Sequence, residues 1–430
     1  MRARTIVLLV LFAWFPAGAL LGDGADKYAA FLSTLENLDR DKFYDVLVSE
    51  LETYVRLFPT AENVDEIHFK LATLYHDKGK KIPSFYTHLQ MLYYYPTSEH
   101  LAVARDRLRA VLLKERKLES LREKVEEILN PTFTDTSREG LAYAFIRDVH
   151  DYDVRSLNEL LVSTCETFLA QFPTSARRDD VLFWQAELLA RNKKYKRALA
   201  EYMKLTFLFE ESPYLSASKL KVAELFTEKL KMHQQAILAL EEFLLEFPDD
   251  PQAPYAQLYM ARILEKRKKT YLEAIQAYTA VAEKYPKSPD AVPALFEAAR
   301  LYEEKFKEYD QAIRVYSEIV RDYPEDEKAP YALAEAARIY EKRLKDYFNA
   351  ANVYFKVYGN YPQSSIAPEA LYAAAELNEK KLQNDERALM YYRLVVDQFP
   401  NHKLASKAAK RIDKISERMA KASEENQEQG

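Results

Sequence analysis

One cysteine, Cys165, and seven glycines are all that 430 residues hold of two residue types on which many active sites depend. A lone thiol forms no internal disulfide, so the fold must rest on packing. Gly18, Gly22 and Gly24 lie near the N-terminus and Gly430 ends the chain. Gly79, Gly140 and Gly359 remain, each isolated, and cannot build a phosphate-cradling loop or a dinucleotide fingerprint. HExxH, CxxC and a nucleophile elbow are missing. Ser216-Ala217-Ser218-Lys219 matches S-x-x-K by letters but lacks that class's companion motifs. Asp148, His150, Asp151 and Asp153 cluster without a second ligand group and read as a solvated turn. These absences predict a protein that is not an enzyme and holds no cofactor and no metal. No segment approaches the roughly twenty apolar residues of a membrane span. With 62 Lys and Arg against 67 Asp and Glu, the surface is mixed, and no nucleic-acid footprint stands out.

What is present is periodic. An aromatic residue followed by Pro recurs at Phe247-Pro248, Tyr285-Pro286, Tyr323-Pro324, Tyr361-Pro362 and Phe399-Pro400, each Pro 38 residues after the last. A fixed period of this length marks a unit that buries its apolar face only against its neighbours. Within Pro286–Tyr323, Leu295, Ala298, Ala299 and Tyr302 make one helical stripe. Ala312, Ile313, Tyr316, Ile319, Val320 and Tyr323 make a second. The short Lys305–Tyr309 connection forces the two helices antiparallel. The closing Pro stops the second helix, and Ser288 and Asp290 are placed to cap the next one. Ala261, Ala299, Ala337 and Ala375 form one column, and Ala274, Ala312, Ala350 and Ala388 another. Tyr278, Tyr316, Tyr354 and Tyr392 fill a third, read as packing. Upstream, Pro59, Pro96, Pro131, Pro173 and Pro213 continue the series less regularly, so about ten helix pairs are expected.

The small residue Ala299, the early Ala312, the aromatic Tyr316 and the terminal Pro324 make the unit resemble the tetratricopeptide repeat. Leu295 stands where the family has Trp, and Ala replaces its Gly. Against the family's usual unit of about 34 residues, one extra residue fits the intra-repeat turn and three fit before the first helix, and this extra length looks like the longer repeats of bacterial envelope proteins. Examples are the lipoprotein component of the outer-membrane β-barrel assembly machine and the periplasmic coordinator of the Tol-Pal system. The resemblance implies an all-α fold, a right-handed α-solenoid of antiparallel helix pairs.

Arg2 and Arg4, the apolar run Ile6–Phe15 and Ala17-Gly18-Ala19 form a signal-peptide pattern. Asp23 stands where a lipobox would carry its Cys. The expected organisation is a signal peptide over 1–25, degenerate helical repeats over 26–131 and a degenerate repeat or break over 132–172. Tetratricopeptide-like repeats with a capping helix follow over 173–417, then a disordered tail over 418–430. Cys165 is expected to be buried.

By the resemblance, first helices line a concave wall. That places Tyr255, Arg262, Phe296, Arg300, Tyr331, Arg338, Tyr372 and Glu376 on a groove for a protein or peptide partner. Arg and Glu three apart, as in Arg300 and Glu303, would otherwise form a ladder of surface ion pairs. The expected function is an exported periplasmic scaffold or adaptor in envelope assembly, either outer-membrane protein assembly or cell-wall coordination. Peripheral association with the outer membrane is compatible with it. The alternative is an accessory or regulatory subunit of a peptidoglycan-processing enzyme.

Overall fold

A computed structural model describes residues 23–267 and 269–428. Residues 1–22, which carry the export pattern, lie outside the described residues. The described chain is all-α and contains no strand. It divides into two compact units between Leu225 and Phe226. That division differs from the break expected over 132–172.

The N-terminal unit holds α1 (Asp23–Glu36), α2 (Tyr44–Leu57), α3 (Val64–Asp77), α4 (Lys81–Tyr94), α5 (Leu101–Lys114) and α6 (Val125–Leu129). It continues with α7 (Arg138–Asp151), α8 (Asn158–Gln171), α9 (Arg178–Arg191), α10 (Tyr195–Leu208) and α11 (Leu215–Glu224). The expected degenerate stretch carries a regular pair, α7 and α8. Its polar run is a turn followed by a cap: Asp135 accepts from the Ser137 amide at 2.9 Å, and Ser137 accepts from the Gly140 amide at 3.0 Å. The irregular element lies just upstream. A 3-10 segment, Arg116–Lys124, and the five-residue α6 take the place of a full second helix. Pro213 is out of register too. Phe209 closes α10 as Tyr323 closes its own helix, and the turn residue is Ser212. Cys165 is buried.

The C-terminal unit holds α12 (His233–Glu246), α13 (Ala253–Lys266), α14 (Tyr271–Lys284), α15 (Ala291–Leu301) and α16 (Tyr309–Asp322). It continues with α17 (Ala329–Ile339), α18 (Tyr347–Asn360), α19 (Ala367–Lys380), α20 (Asp385–Gln398) and α21 (Ala405–Glu428). α21 continues ten residues beyond Arg418, through much of the segment expected to be a disordered tail. Both alanine columns are fully buried, and Tyr278, Tyr316 and Tyr392 join them in the core. Alanine at these positions lets neighbouring helices approach without a cavity. The residue added to the intra-repeat turn is absorbed as a π-helical turn, at Tyr302–Phe306 and again at Tyr340–Leu344. Lys307 and Lys345 then take left-handed backbone conformations, and the next amide bonds back to Tyr302 or Tyr340. Between repeats, Ser288 accepts from the Asp290 amide at 3.1 Å. Asp250 and Asp326 repeat that turn. Ser288 therefore fixes the turn before the helix, and Asp290 makes no side-chain cap, contrary to the capping expected of both.

Candidate functional site

The first helices of the C-terminal unit carry the residues predicted for the wall. Tyr255 is exposed and stacks on Tyr259, ring centroids 5.7 Å apart. Arg262 is exposed and makes no ion pair among the described residues. Phe296 is half-buried, edge-on to Tyr316 at 5.4 Å. Tyr331 is 43% exposed and its hydroxyl meets Ser365 Oγ at 2.9 Å. Tyr372 packs edge-on against Tyr392 at 5.3 Å, and Glu376 pairs with Lys380.

Arg300 and Arg338 do something else. The expected pairing of each with the Glu three residues on does not form. Arg300 reaches back to Glu265 of the preceding repeat, and also binds Glu297 at 2.7 Å and Glu304 at 3.0 Å. Arg338 reaches back to Glu303 and binds Glu335 at 2.6 Å. Helical side chains lean toward the N-terminus, which favours the partner behind over the one ahead. The receiving Glu is also claimed from its own repeat: Tyr278 donates to Glu265 at 2.7 Å, and Tyr392 donates to Glu379 at 3.0 Å. The Glu303 side chain is 4% exposed and takes a second guanidinium, Arg343, at 2.9 Å. Burial raises its pKa, but the bonds from Arg338 and Arg343 hold the carboxyl below its ordinary value. Within the column Glu265, Glu303, Glu341 and Glu379, Glu265 and Glu303 bind the Arg of the following repeat and Glu379 binds Arg411 of α21, so three of the four are inter-repeat staples. One rung differs. Position 376 is Glu where the preceding repeats have Arg, so Glu341 turns to Lys342 and Tyr354.

Phe296 and Tyr331 come together in one open groove of about 1030 Å³. Tyr361, Pro293, Pro330 and Pro362 complete its apolar lining. Glu297, Glu325, Asp326 and Glu327 face Lys328 as the single cation of the lining. Arg300 and Arg338 do not line it. The acidic turn residues escaped the sequence reading because they sit in connections outside the helical stripes; the signal was Glu325-Asp326-Glu327 directly after Tyr323-Pro324.

Of the side chains in the Asp148–Asp153 cluster only those of His150 and Asp151 touch, at 3.4 Å among the described residues, and the other contacts go outside the cluster. His150 stacks on Trp184 and contacts Glu187 at 3.1 Å. Asp148 accepts from Tyr93 at 2.8 Å, and Asp153 pairs with Arg191 at 2.7 Å. Among the described residues no group of three or more such side chains is placed to hold a metal. No described helix is long and apolar enough to cross a membrane.

Tetratricopeptide repeat models match residues 233–289, 293–326 and 369–402, all in the C-terminal unit. These segments carry the repeat, and repeats of this kind point to protein–protein interaction. No curated protein matches the chain. A tetratricopeptide repeat protein from Parabacteroides merdae is similar, with 16% identity over 63% of this chain and 98% of its own, TM-score 0.35. The C-terminal part of a repeat-containing protein from Cytophaga hutchinsonii is similar at 14% identity, over 62% of this chain and 98% of its own, TM-score 0.39.

Proposed function

We propose that the chain is an exported scaffold of a bacterial cell envelope that holds a protein partner in the groove between Phe296 and Tyr331. The observation that carries the groove is an exposed tyrosine beside a half-buried phenylalanine, rimmed by carboxylates. Aromatic anchors within a groove are the side chains that dominate interface energetics. The acidic rim favours an extended segment rich in Lys or Arg and speeds its association. Export into the periplasm is supported by Arg2, Arg4 and the apolar run that follows. A role in outer-membrane protein assembly or cell-wall coordination rests on the resemblance of the longer repeats alone.

The groove is tested by capture from cross-linked envelopes with wild type and with Tyr331→Ala combined with Glu327→Lys. Both side chains reach solvent, so folding should hardly change while the captured partner is lost. Retention of that partner at wild-type levels would remove the groove from the reading. Reversing Arg300 and Arg338 is a poorer test, because it breaks the staples and leaves Glu303 a buried carboxylate facing like charge.

A further inference from the structure

The N-terminal unit holds a half-open cavity of about 730 Å³ bounded by α2, α3, α4, α7 and α8. Its size falls within the roughly 300–1,000 Å³ of small-molecule sites. The walls are tied across it. Gln171 on α8 donates to the main-chain carbonyl of Arg56 at the end of α2, at 3.3 Å. The Tyr86 hydroxyl meets Thr164 Oγ1 at 2.6 Å.

The lining is not that of a simple packing void. α8 contributes Ser163, Thr164, Thr167 and Gln171 to the lining, a polar stripe at helical spacing whose members are half-buried or, at Ser163, exposed. α4 answers with Thr87 and Gln90 among tyrosines, and α3 adds His68. Thr164 and Gln171 already have protein partners, Thr164 also donating to the Leu160 carbonyl at 3.2 Å. Thr167 donates to the Ser163 carbonyl at 3.0 Å, which leaves its lone pairs free to accept from a ligand N–H or O–H. The charged residues of the lining are Glu52, Arg56 and Arg138. Glu52 accepts from Tyr75 at 2.6 Å. Arg138 lies over the Phe172 ring and donates to Gln171 at 2.6 Å, and among the described residues no carboxylate lies within ion-pair distance of it. The mouth of the cavity therefore offers a guanidinium without a counter-ion, and its interior offers acceptors and aromatic walls.

We infer that this cavity binds a small organic acid, its carboxylate at Arg138 and an amide- or hydroxyl-bearing body against the α4 and α8 stripes. The site is independent of the protein-binding groove of the C-terminal unit. The test titrates anilinonaphthalene sulfonate, an aromatic organic anion whose fluorescence reports enclosure, into the full chain. A saturable site is expected. Ala142→Phe, which fills the cavity, and Arg138→Glu, which reverses its mouth, should each weaken the site about tenfold or more with helical circular dichroism unchanged. Arg138→Lys keeps the charge and should keep the site, so a loss caused only by disturbed packing is recognised. N-acetylphenylalanine should displace the dye, and its C-terminal amide should not. Unchanged dye affinity in Ala142→Phe would overturn the proposal, as would equal displacement by acid and amide. Displacement by laurate alone would overturn the assignment of a hydrogen-bonding body.

Discussion

The two units solve one packing problem under different discipline. In the C-terminal unit the spacing stays at 38 residues, the buried alanines return at every repeat, and a core tyrosine, an inter-repeat staple and a left-handed turn return at most of them. Its polar residues are spent on joining one repeat to the next. In the N-terminal unit the register slips, one second helix is replaced by a 3-10 segment and a short helix, and helices distant in sequence meet across an interior space. Strict repetition yields an open wall whose grooves lie between repeats. Departure from it brings α2 and α8, distant in sequence, to the walls of one half-open cavity.

Acid should separate the two most strongly. His68 is 2% exposed, and burial pulls its pKa down to about 4; burial, then Arg107 and neighbouring histidines, do the same to His88. Between about pH 6.5 and 4 the unfolded chain binds more protons at these rings, so their stabilising share is full above 6.5 and falls as pH drops. The loss approaches roughly 3 kcal/mol for each imidazole by pH 4. Glu303 behaves differently: its depressed pKa keeps its staple until pH falls below the ordinary Glu range. Hydrogen exchange, corrected for intrinsic rates, should show α3 and α4 loosening at pH 5 while α15 to α18 hold. Equal loosening would break the contrast.

Tyr316→Ala probes the strict unit directly. Tyr316 is buried against Phe296, and large-to-small aromatic truncations cost roughly 3–5 kcal/mol. Each repeat contacts only its neighbours, so α15 to α17 should lose protection before α20. A cost spread evenly over the unit would show that its repeats do not act as nearest-neighbour elements.

How much of this could be read beforehand follows from the same contrast. The alanine and tyrosine columns were legible because burial repeats at one position per unit. The staples were not. Arg300 and Glu303 sit at a spacing that also suits an intrahelical pair, and one sequence cannot show that Glu265, 35 residues back, lies closer. The extra residue of the turn was visible, though not its π-helical form. In the N-terminal unit, Pro213 suggested a register three residues out of place, because Glu210 stands where the other repeats have Pro and Ser212 holds the turn. The cavity was hidden because its lining comes from five helices that are brought together only by the fold.

The smallest effect concerns a turn that both units share. Gly79 has φ 65° in the N-terminal unit, and Lys307 has φ 57° at the corresponding turn of a C-terminal repeat. A side chain in the left-handed region costs roughly 1–2 kcal/mol relative to glycine. Glycine, in turn, adds freedom to the unfolded chain worth about 0.4–1 kcal/mol. Lys307→Gly should therefore stabilise by about 1 kcal/mol or less, the difference of two opposing terms. Gly79→Ala meets no atom within 4 Å, so only backbone strain opposes it, and it should destabilise by about 1 kcal/mol. Urea melts of the two variants test the pair. If Lys307→Gly instead destabilises by more than about 1 kcal/mol, the Lys307 side chain contributes a contact that outweighs its strain.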